Sequence, residues 1–340
     1  MVPVSMVGRV GELEELVRVW SYATERHLTS PQTVVLTGAA GLGKSLLVSA
    51  ALGAFTPRPS TVLSGTARVH TPAPYDWLAA ALDGRNTRRL PVPPDALAWL
   101  AQDPDAPSER YAPGALLRLA VRTVRALVGA GPAVLVAEDL HALDPASLNL
   151  IAELAAAPEL PALLLVTSRP PDVAVSPQLV ARTLARLSGT PGAVRQHLNT
   201  LGTADVADVL AEVYGGSSVP PALAEAVWAR TGGNPYWLTE LLAAAGRQGP
   251  EALAREPLPG HLLLAGAQGL TAREIDVLNC LAAGMSNKQV ARSLGISVRT
   301  VTVHVSNLLR KTGSASRTEA ALWAVRRQAT GVAPAGGVAR

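Results

Sequence analysis

Residues 270–320 read LTAREIDVLNCLAAGMSNKQVARSLGISVRTVTVHVSNLLRKTGSASRTEA. Residues that cap helix N-termini mark four helix starts in this stretch, at Thr271, Ser286, Ser297 and Ser316. Three of these caps are followed three residues later by Glu or Gln, which completes a capping box. Glycines stand where three of the helices should end, at Gly284, Gly295 and Gly313. After a first helix, the pattern predicts helices over 287–294, 298–312 and 317–330, an arrangement that is typical of a helix-turn-helix.

The helix 298–312 is expected to be the recognition helix, which enters the major groove of DNA. Its apolar residues recur at helical spacing and predict one buried face, made of Val301, Val305, Leu308 and Leu309. The residues predicted to contact DNA lie on the other face and on helix 287–294: Asn287, Lys288, Arg299, Thr300, Thr302, Val303, Ser306, Asn307, Arg310 and Lys311. Of these, Asn287 and Lys288 are expected to contact phosphates. The competing interpretation is an ordinary small helical bundle.

The charge distribution separates this segment from the rest of the chain. Residues 268–340 contain ten Lys or Arg and three Asp or Glu, a net charge of +7. The preceding residues carry 20 basic and 23 acidic side chains, a net charge of −3. Phosphate contacts need such a local excess of positive charge, and they make binding depend on salt. The sequence therefore favours a DNA-binding module over a neutral bundle.

This segment closely resembles the LuxR-type DNA-binding domain over about residues 270–324, through LTAREIDVL, GMSNKQVARSLGISVRTVTVHVSNLLRKTG and SRTEA. The resemblance implies a four-helix module that binds double-stranded DNA as a homodimer on a two-fold site. It also implies that helix 317–330 is a pairing surface. The residues that face base edges in this family correspond to Thr302, Val303 and Ser306.

Composition excludes several classes of protein. At 340 residues the chain is long enough for two domains and a large core. No stretch holds about 20 uninterrupted apolar residues, so no membrane span is expected. The first residues, MVPVSMVGRVGE, lack the basic and apolar regions of a secretory signal. Cys280 is the only cysteine and occupies an apolar helix position, which predicts a buried thiol without a disulfide. A cytoplasmic protein is expected.

A second motif lies near the N-terminus. The apolar run TVVLT (33–37) predicts a buried parallel strand, and it is followed by GAAGLGKS (38–45) and a helical pattern. This is G-x-x-x-x-G-K-S in the strand–loop–helix context of a phosphate-binding loop. Three glycines would let backbone N–H groups point at the phosphate oxygens of ATP: Gly38, Gly41 and Gly43. Lys44 would reach the β- and γ-phosphates, and the Ser45 hydroxyl would bind Mg²⁺. The alternative is a glycine-rich turn that matches by chance.

Two further predicted strands end in polar residues that suit phosphate chemistry. The run AVLVA (133–137) ends in Glu138 and Asp139, of which one could hold the Mg²⁺ water shell and the other orient an attacking water. An acidic helix N-cap is the alternative for this pair. A third strand leads to Arg169, which could sense the γ-phosphate or serve as a surface or ion-pair residue. The predicted Mg²⁺ ligands are Ser45, Glu138 and Asp139, and the predicted catalytic residues are Glu138, Asp139 and Arg169.

Residues 6–240 resemble the signal-transducing P-loop ATPases of the STAND type, near the AAA+ group. Three segments carry the resemblance besides the phosphate-binding loop: VGRVGEL (7–13), EDLHALDPASL (138–148) and TSR (167–169). They are similar to the entry segment, the acidic segment and the end of the sensor strand of that family. The resemblance implies that Gly8 and Arg9 lie by the adenine of ATP.

Two positions qualify this resemblance. Gly233-Asn234-Pro235 is similar to the family's G-x-P motif, which implies that Pro235 packs by the base. Asn before Pro also suits a helix N-cap with Pro at the first helical position, and both interpretations stay open. At Glu138 the family usually has Asp. Because the longer side chain would displace Mg²⁺, slow or absent hydrolysis is expected.

The predicted fold class is an α/β P-loop NTPase with a parallel sheet and a helical lid, followed by an all-α four-helix LuxR-type helix-turn-helix domain. The predicted boundaries are an ATP-binding domain at 1–197, the lid at 198–248, a linker at 249–268, the helix-turn-helix domain at 269–330 and a disordered tail at 331–340. Strands are predicted near 33–37, 61–65, 133–137, 163–167 and 194–198, and lid helices near 204–214, 221–230 and 235–246. The combination resembles a short version of the large ATP-binding LuxR-type regulators.

Three functions are consistent with the sequence. The first is an ATP-binding transcription regulator in which nucleotide state controls the presentation or dimerisation of the helix-turn-helix. The second is a P-loop NTPase enzyme that uses DNA as an anchor. The third is a DNA-binding regulator with a degenerate nucleotide site. Any ATPase activity is expected to be slow and to act as a switch.

Overall fold

The structure is a computed structural model of the chain. It describes residues 6–25, 30–65, 73–87, 90–106, 111–174, 176–215, 219–245, 253, 272–295, 298–312, 314 and 316–330. These residues form two units: Arg9–Asn199, and a second that runs from Thr200 onward and includes the segment ending at Gly8. The predicted lid and helix-turn-helix therefore fall within one unit. Among the described helices, none is long and apolar enough to span a membrane.

The first unit is built on a five-stranded parallel sheet. Its strands are β1 (Gln32–Thr37), β2 (Thr61–Gly65), β3 (Ala133–Ala137), β4 (Ala162–Ser168) and β5 (Val194–His197). Their order is β2-β3-β4-β1-β5, so β4 lies between β1 and β3. The three central strands are buried almost throughout, which explains why they read as continuous apolar runs. All five predicted strands are confirmed.

The helices of this unit are α1 (Val10–Glu25), α2 (Lys44–Ala54), α3 (Asp76–Leu82), α4 (Pro94–Leu100), α5 (Pro113–Val128), α6 (Pro145–Ala155) and α7 (Pro177–Ser188). A 3-10 turn, Leu140–Ala142, connects β3 to α6. The main core joins Trp77 and Leu78 of α3 to Leu135 of β3 and Leu164 of β4. Because all strands run in parallel, their carboxyl ends share one edge of the sheet, where the predicted site residues lie.

The second unit is helical. Its helices are α8 (Thr203–Val213), α9 (Pro221–Thr231), α10 (Pro235–Ala245), α11 (Ala272–Ala282), α12 (Asn287–Leu294), α13 (Val298–Thr312) and α14 (Arg317–Thr330). The last three match the predicted helix ranges. The predicted linker, apart from Leu253, and the tail lie outside the described residues.

Separate apolar clusters hold the two parts of this unit. The lid helices α8, α9 and α10 pack around Val206, Leu210, Val227 and Leu241. In the helix-turn-helix, one cluster contains Leu278, Leu308, Ala320 and Ala324. A second contains Val277, Cys280, Leu281, Val290, Ala291 and Val301. The predicted burial of the Cys280 thiol is confirmed.

In the helix-turn-helix, the helix caps that the structure describes are those that the sequence predicts. Ser286 accepts from the Gln289 backbone N–H at 3.4 Å, and Gln289 Oε1 accepts from the Ser286 N–H at 2.8 Å. This reciprocal pair is the predicted capping box. Ser316 Oγ likewise accepts from the Glu319 N–H at 3.2 Å. The predicted caps Thr271 and Ser297 and the glycine Gly313 lie outside the described residues.

Candidate nucleotide site and DNA-binding surface

The loop between β1 and α2 has the shape that its glycines predict. Gly38, Gly41 and Gly43 have φ angles of 152°, 78° and 85°, a region that side-chain-bearing residues rarely adopt. A Cβ at Gly38 would lie 2.8 Å from the Leu198 carbonyl oxygen, so that position has no room for a side chain. Gly43 precedes α2 without a side-chain cap, which leaves N–H groups of the first turn free to bind an anion.

Lys44 is the buried cation of this loop. Its ammonium donates to the carbonyl oxygens of Gly38, at 2.9 Å, and Ala39, at 2.8 Å. Burial, and then the nearby charge of Arg169, lower the pKa of Lys44 to about 8, while Asp139 opposes the shift. A buried ammonium whose described hydrogen bonds go to neutral carbonyl groups gains from an anionic partner.

Ser45 and Glu138 meet although 93 positions separate them in the chain. The Ser45 hydroxyl donates to Glu138 Oε2. A hydroxyl and a carboxylate oxygen at one point are the ligands that Mg²⁺ prefers in phosphate sites. These two residues fit a Mg²⁺ ion, which would neutralise charge on the phosphate oxygens. The longer Glu138 side chain therefore reaches the Ser45 hydroxyl itself.

Asp139 adopts a left-handed backbone conformation, with φ of 50°. Its N–H donates to Thr167 Oγ1 at 3.0 Å, which ties the end of β3 to β4. The Asp139 side chain is about half exposed and makes no capping hydrogen bond. The residue that caps α6 is instead Asp144, whose Oδ1 accepts from the N–H groups of Ala146 and Ser147 at 2.9 Å. Asp139 therefore stands at the N-cap position of the 3-10 turn without a side-chain cap bond, and the cap of α6 is Asp144 rather than a member of the Glu138–Asp139 pair.

Arg169 directly follows β4, the strand between the phosphate-binding loop and Glu138. Its charge lowers the pKa of Lys44, so the two cations lie within electrostatic range of each other. Two like charges this close repel each other, and an anion between them would relieve that repulsion. The strand order thus brings Lys44, Ser45, Glu138, Asp139 and Arg169 to one edge of the sheet.

Two residues of the acidic segment have contacts that sequence reasoning did not assign. His141 is buried, and its Nδ1 accepts from the Arg169 backbone N–H at 3.3 Å. Asp144, besides capping α6, accepts from the N–H groups of Tyr75, at 3.1 Å, and Asp76, at 3.2 Å. Both residues lie within the segment EDLHALDPASL, but their hydrogen-bond partners become evident only in the folded structure.

The predicted adenine-side residues are anchored in different ways. Arg9 is 8% exposed; its guanidinium donates to Glu12 at 3.1 Å and to the Asn199 carbonyl oxygen. Its Nε is buried without a hydrogen-bond partner. Gly8 has a φ of 71°, and a Cβ there would approach Leu201 Cδ2 to 2.8 Å. Their proximity to a base stays a prediction.

Pro235 is the first residue of α10, and Asn234 Oδ1 accepts from the Tyr236 N–H at 3.0 Å. This contact is the helix cap that the sequence offered as one interpretation. Gly233 is required on steric grounds, because a Cβ would lie 2.2 Å from the Leu201 carbonyl oxygen at a φ of 67°. A structural role for this segment is clear, and contact with the base stays a prediction.

The helix-turn-helix presents the predicted faces. Val301 and Leu308 of α13 are fully buried, and Val305 and Leu309 pack beside them, which confirms the predicted inner face. On the outer side, Thr302, Ser306 and Lys288 are exposed, and Thr300 is half-buried. The side chains of five other predicted contacts lie outside the described part of the chain: Arg299, Val303, Asn307, Arg310 and Lys311.

Asn287 is engaged by protein groups on two sides. Its Nδ2 donates to Thr302 Oγ1 at 3.4 Å, and its Oδ1 accepts from Arg317 Nη1 at 3.3 Å. Arg317 also donates to the Met285 carbonyl oxygen at 2.5 Å. Arg317 therefore joins the start of α14 to the turn before α12. The sequence marked Asn287 as a phosphate contact but did not indicate this partner.

Two family models match separate parts of the chain. Residues 5–166 match the AAA ATPase domain, and residues 268–324 match the luxR family of bacterial regulatory proteins. The curated relatives include an uncharacterized transcriptional regulatory protein, YhcZ, of Bacillus subtilis, 58% identical over 57 residues. They also include the nitrate/nitrite response regulator protein NarP of Escherichia coli, 57% identical over 53 residues.

These alignments cover 17% of this chain and 27% of YhcZ, and 16% of this chain and 25% of NarP. The chain thus spans about a quarter of the length of the curated relatives that it matches. Similar solved structures include the Orc1 protein of Aeropyrum pernix in complex with DNA. The TM-score is 0.49 and the sequence identity 16%, and the alignment covers 90% of this chain and 84% of that one. At these values the likeness supports no argument about function. On the two family matches, the chain contains an AAA ATPase domain followed by a helix-turn-helix domain of the luxR family of bacterial regulatory proteins.

Proposed function

We propose that this chain is a DNA-binding transcription regulator that binds ATP with Mg²⁺, and that its nucleotide state controls how the helix-turn-helix is presented or paired. The convergence of Lys44, Arg169 and the Ser45–Glu138 pair supports an intact polyphosphate site. This convergence argues against a degenerate site. The exposed Lys288, Thr302 and Ser306 support a DNA-binding surface of the type found in this family.

The observation that carries the regulatory part of the proposal is the position of Trp237. This side chain belongs to α10, the helix that begins at Asn234-Pro235, and it packs against the helix-turn-helix cluster of Leu278 and Leu308. The same helix contributes Leu238 and Leu241 to the lid core. One helix therefore touches both the lid core and the core of the DNA-binding module.

Tyr236 gives a second indication of this contact. Burial is the main cause that raises the pKa of its hydroxyl, and Glu240 contributes next. Asp276 of α11 adds to the shift, so the helix-turn-helix brings a carboxylate close to Tyr236. Tyr236 also lies edge-on to Trp237, with ring centroids 4.9 Å apart. A displacement of α10 would change these contacts. We propose that nucleotide state acts on the helix-turn-helix through such a displacement.

The experiment measures DNA affinity of the full chain by fluorescence anisotropy without nucleotide, with ATP and with ADP. The duplex is one that the wild-type chain has selected from a random pool. We expect the DNA affinities in ATP and ADP to differ by at least about fivefold, the lower end of typical coupling. Trp237→Ala should bring the ratio close to one. Leu242→Ala, which alters the lid-core side of the same helix, is the matched control and should keep most of the ratio.

An equal DNA affinity in all three nucleotide states, with ATP binding intact, would refute the control mechanism and leave two independent activities. Loss of the ratio in both variants would mean that general damage to the lid, rather than the Trp237 contact, breaks the coupling. We also propose that the chain acts in the cytoplasm.

Pairing of two copies on a two-fold DNA site is part of the proposal. Leu322 is 51% exposed and lies on α14, the helix that the family resemblance implies is a pairing surface. We expect Leu322→Lys to lower the fraction of dimer on DNA in analytical ultracentrifugation. A wild-type chain that binds its duplex only as a monomer would contradict this.

A further inference from the structure

His141 lies in the short turn Leu140–Ala142 between β3 and α6, at the centre of the candidate nucleotide site. Its ring is buried. Nδ1 lies 3.3 Å from the Arg169 backbone nitrogen and 3.8 Å from Asp139 Oδ1. The first contact is a hydrogen bond, and the second is too long to be one. His141 therefore joins the turn after β3 to the residue after β4.

The direction of this hydrogen bond fixes the state of the ring. Because the Arg169 N–H is the donor, Nδ1 must carry the lone pair, and the ring hydrogen resides on Nε2. A ring that accepts at Nδ1 and carries its hydrogen on Nε2 is neutral, so it adds no charge to the site.

Arg169 is held at both of its backbone polar groups. The His141 ring accepts its N–H, and the Ser168 hydroxyl donates to its carbonyl oxygen at 2.8 Å. Ser168 is itself fully buried. A residue at the end of a strand, where pairing stops, would otherwise have freedom in φ and ψ. With both groups bound, the backbone of Arg169 is held in one conformation, and its guanidinium lies within electrostatic range of Lys44.

We infer that His141 is a positioning residue for Arg169, and that through it the site discriminates nucleoside triphosphates from diphosphates. The inference rests on the proposed function, since it concerns the same nucleotide site. Lys44 belongs to the phosphate-binding loop and its helix, whereas Arg169 follows a different strand. A guanidinium on a backbone that is already held can gain a γ-phosphate contact with little ordering cost. Diphosphate binding does not use that contact.

The test measures the affinities of the full chain for ADP and for a non-hydrolysable ATP analogue by calorimetry. Arg169→Ala should lower the preference for the triphosphate by about tenfold or more, because it removes a charged hydrogen-bond donor. His141→Leu should lower the same preference by about fivefold while ADP affinity stays within about twofold. His141→Asn should restore most of the preference, since Asn Oδ1 can occupy the position of Nδ1 as an acceptor.

The double variant supplies the decisive comparison. If His141 acts through Arg169, the variant carrying both His141→Leu and Arg169→Ala should prefer the triphosphate no less than Arg169→Ala alone. Additive losses would overturn the inference, as would an unchanged preference in His141→Leu. Loss of the preference in His141→Asn equal to that in His141→Leu would show that packing, not the acceptor, matters.

If His141→Leu fails to fold, Ser168→Ala provides the alternative test. This small change frees the Arg169 carbonyl oxygen and should lower the triphosphate preference in the same direction; an unchanged preference would count against the inference. A wild-type chain that binds neither nucleotide would overturn the proposed function and this inference together. Equal affinity of the wild type for both nucleotides would overturn the inference alone.

Discussion

The nucleotide site and the DNA-binding surface are assembled in opposite ways. In the first unit, Lys44, Glu138 and Arg169 follow three different strands and are spread over more than a hundred positions, and the strand order β3-β4-β1 brings them together. In the helix-turn-helix, the exposed Lys288, Thr302 and Ser306 lie within two consecutive helices. The first site depends on long-range topology, and the second on local helix geometry.

This difference predicts how each site should fail. A site assembled from distant parts of the chain depends strongly on single charged side chains. A surface built from two helices depends on the small core that fixes their angle, while each exposed residue contributes only a part of the affinity. Substitutions in the two regions can therefore be compared directly, because each region serves as the control for the other.

The largest effect is expected for Leu308→Ala, which should abolish DNA binding and leave ATP binding unchanged. Leu308 is fully buried, and truncating a core Leu to Ala costs about 2–5 kcal/mol of unfolding free energy. Urea unfolding followed by circular dichroism, with both affinities measured alongside, gives the result. Val298→Ala on the same helix is the control, because Val298 is 43% exposed and should change stability by less than about 0.5 kcal/mol. If Leu308→Ala also lost ATP binding, the two regions would not be independent, and neither could serve as the control for the other.

Lys44→Ala should weaken ATP binding by about a hundredfold, since it removes the buried cation of the phosphate-binding loop. DNA affinity without nucleotide should stay within about twofold. Calorimetry and anisotropy measure the two affinities. Lys288→Ala is the matched control, being the same chemical change in the other region, and its ATP affinity should equal that of the wild type. Unaltered ATP binding in Lys44→Ala would refute the assignment of the loop.

The rate of ATP hydrolysis allows a further comparison within the first unit. We expect the wild type to release phosphate at below about one per minute, and Glu138→Asp to raise this rate by about five- to tenfold, because the shorter carboxylate, which the family usually has at this position, would leave room for Mg²⁺ between itself and the Ser45 hydroxyl. Glu14→Asp, an exposed position on α1, is the control. A wild-type turnover of several per second would favour an enzyme whose main output is hydrolysis.

The smallest effect is expected for Lys288→Ala on DNA. Loss of one phosphate contact should weaken binding to all sequences alike, by about three- to fivefold at 0.1 M salt, and flatten the salt dependence by about one unit. Ser306→Ala should instead change the preferred sequence while the salt slope stays constant. Selection from random duplexes separates the two effects. A changed preferred sequence in Lys288→Ala would show that the phosphate-facing and base-facing sides have been exchanged.

The same difference in assembly explains how much the sequence could predict. Helices over 287–294, 298–312 and 317–330 were predicted at their observed ends, because caps, glycines and apolar spacing are all local signals. The contact between Asn287 and Arg317 was not predicted, because it joins residues 30 positions apart across a helix packing that no local signal specifies.

For the nucleotide site, motif and strand pattern predict residue types and strand ends but not which residues become neighbours. Motif and strand pattern identified Ser45 and Glu138 separately, and their hydrogen bond follows from where β3 lies in the sheet. His141 stands inside a recognised segment, yet its bond to Arg169 requires β4 beside β3. Asp144 shows the converse. The Pro that follows it is a local sign of a helix N-cap, although the acidic pair Glu138–Asp139 is the more conspicuous motif of the same segment.

Cys280 gives the DNA-binding module an intrinsic reporter of its own integrity. The thiol is 8% exposed, in the cluster of Val290 and Val301, and no other cysteine occurs among the 340 residues. Separation of α11 from α12 and α13 would expose the thiol further, so in the purified chain the rate at which a thiol reagent labels Cys280 under native conditions reports that local opening. Bound DNA, a second copy of the chain or a change of nucleotide should each change this labelling rate wherever it changes the stability of the module. One native side chain therefore reports the state of the DNA-binding module without an introduced cysteine.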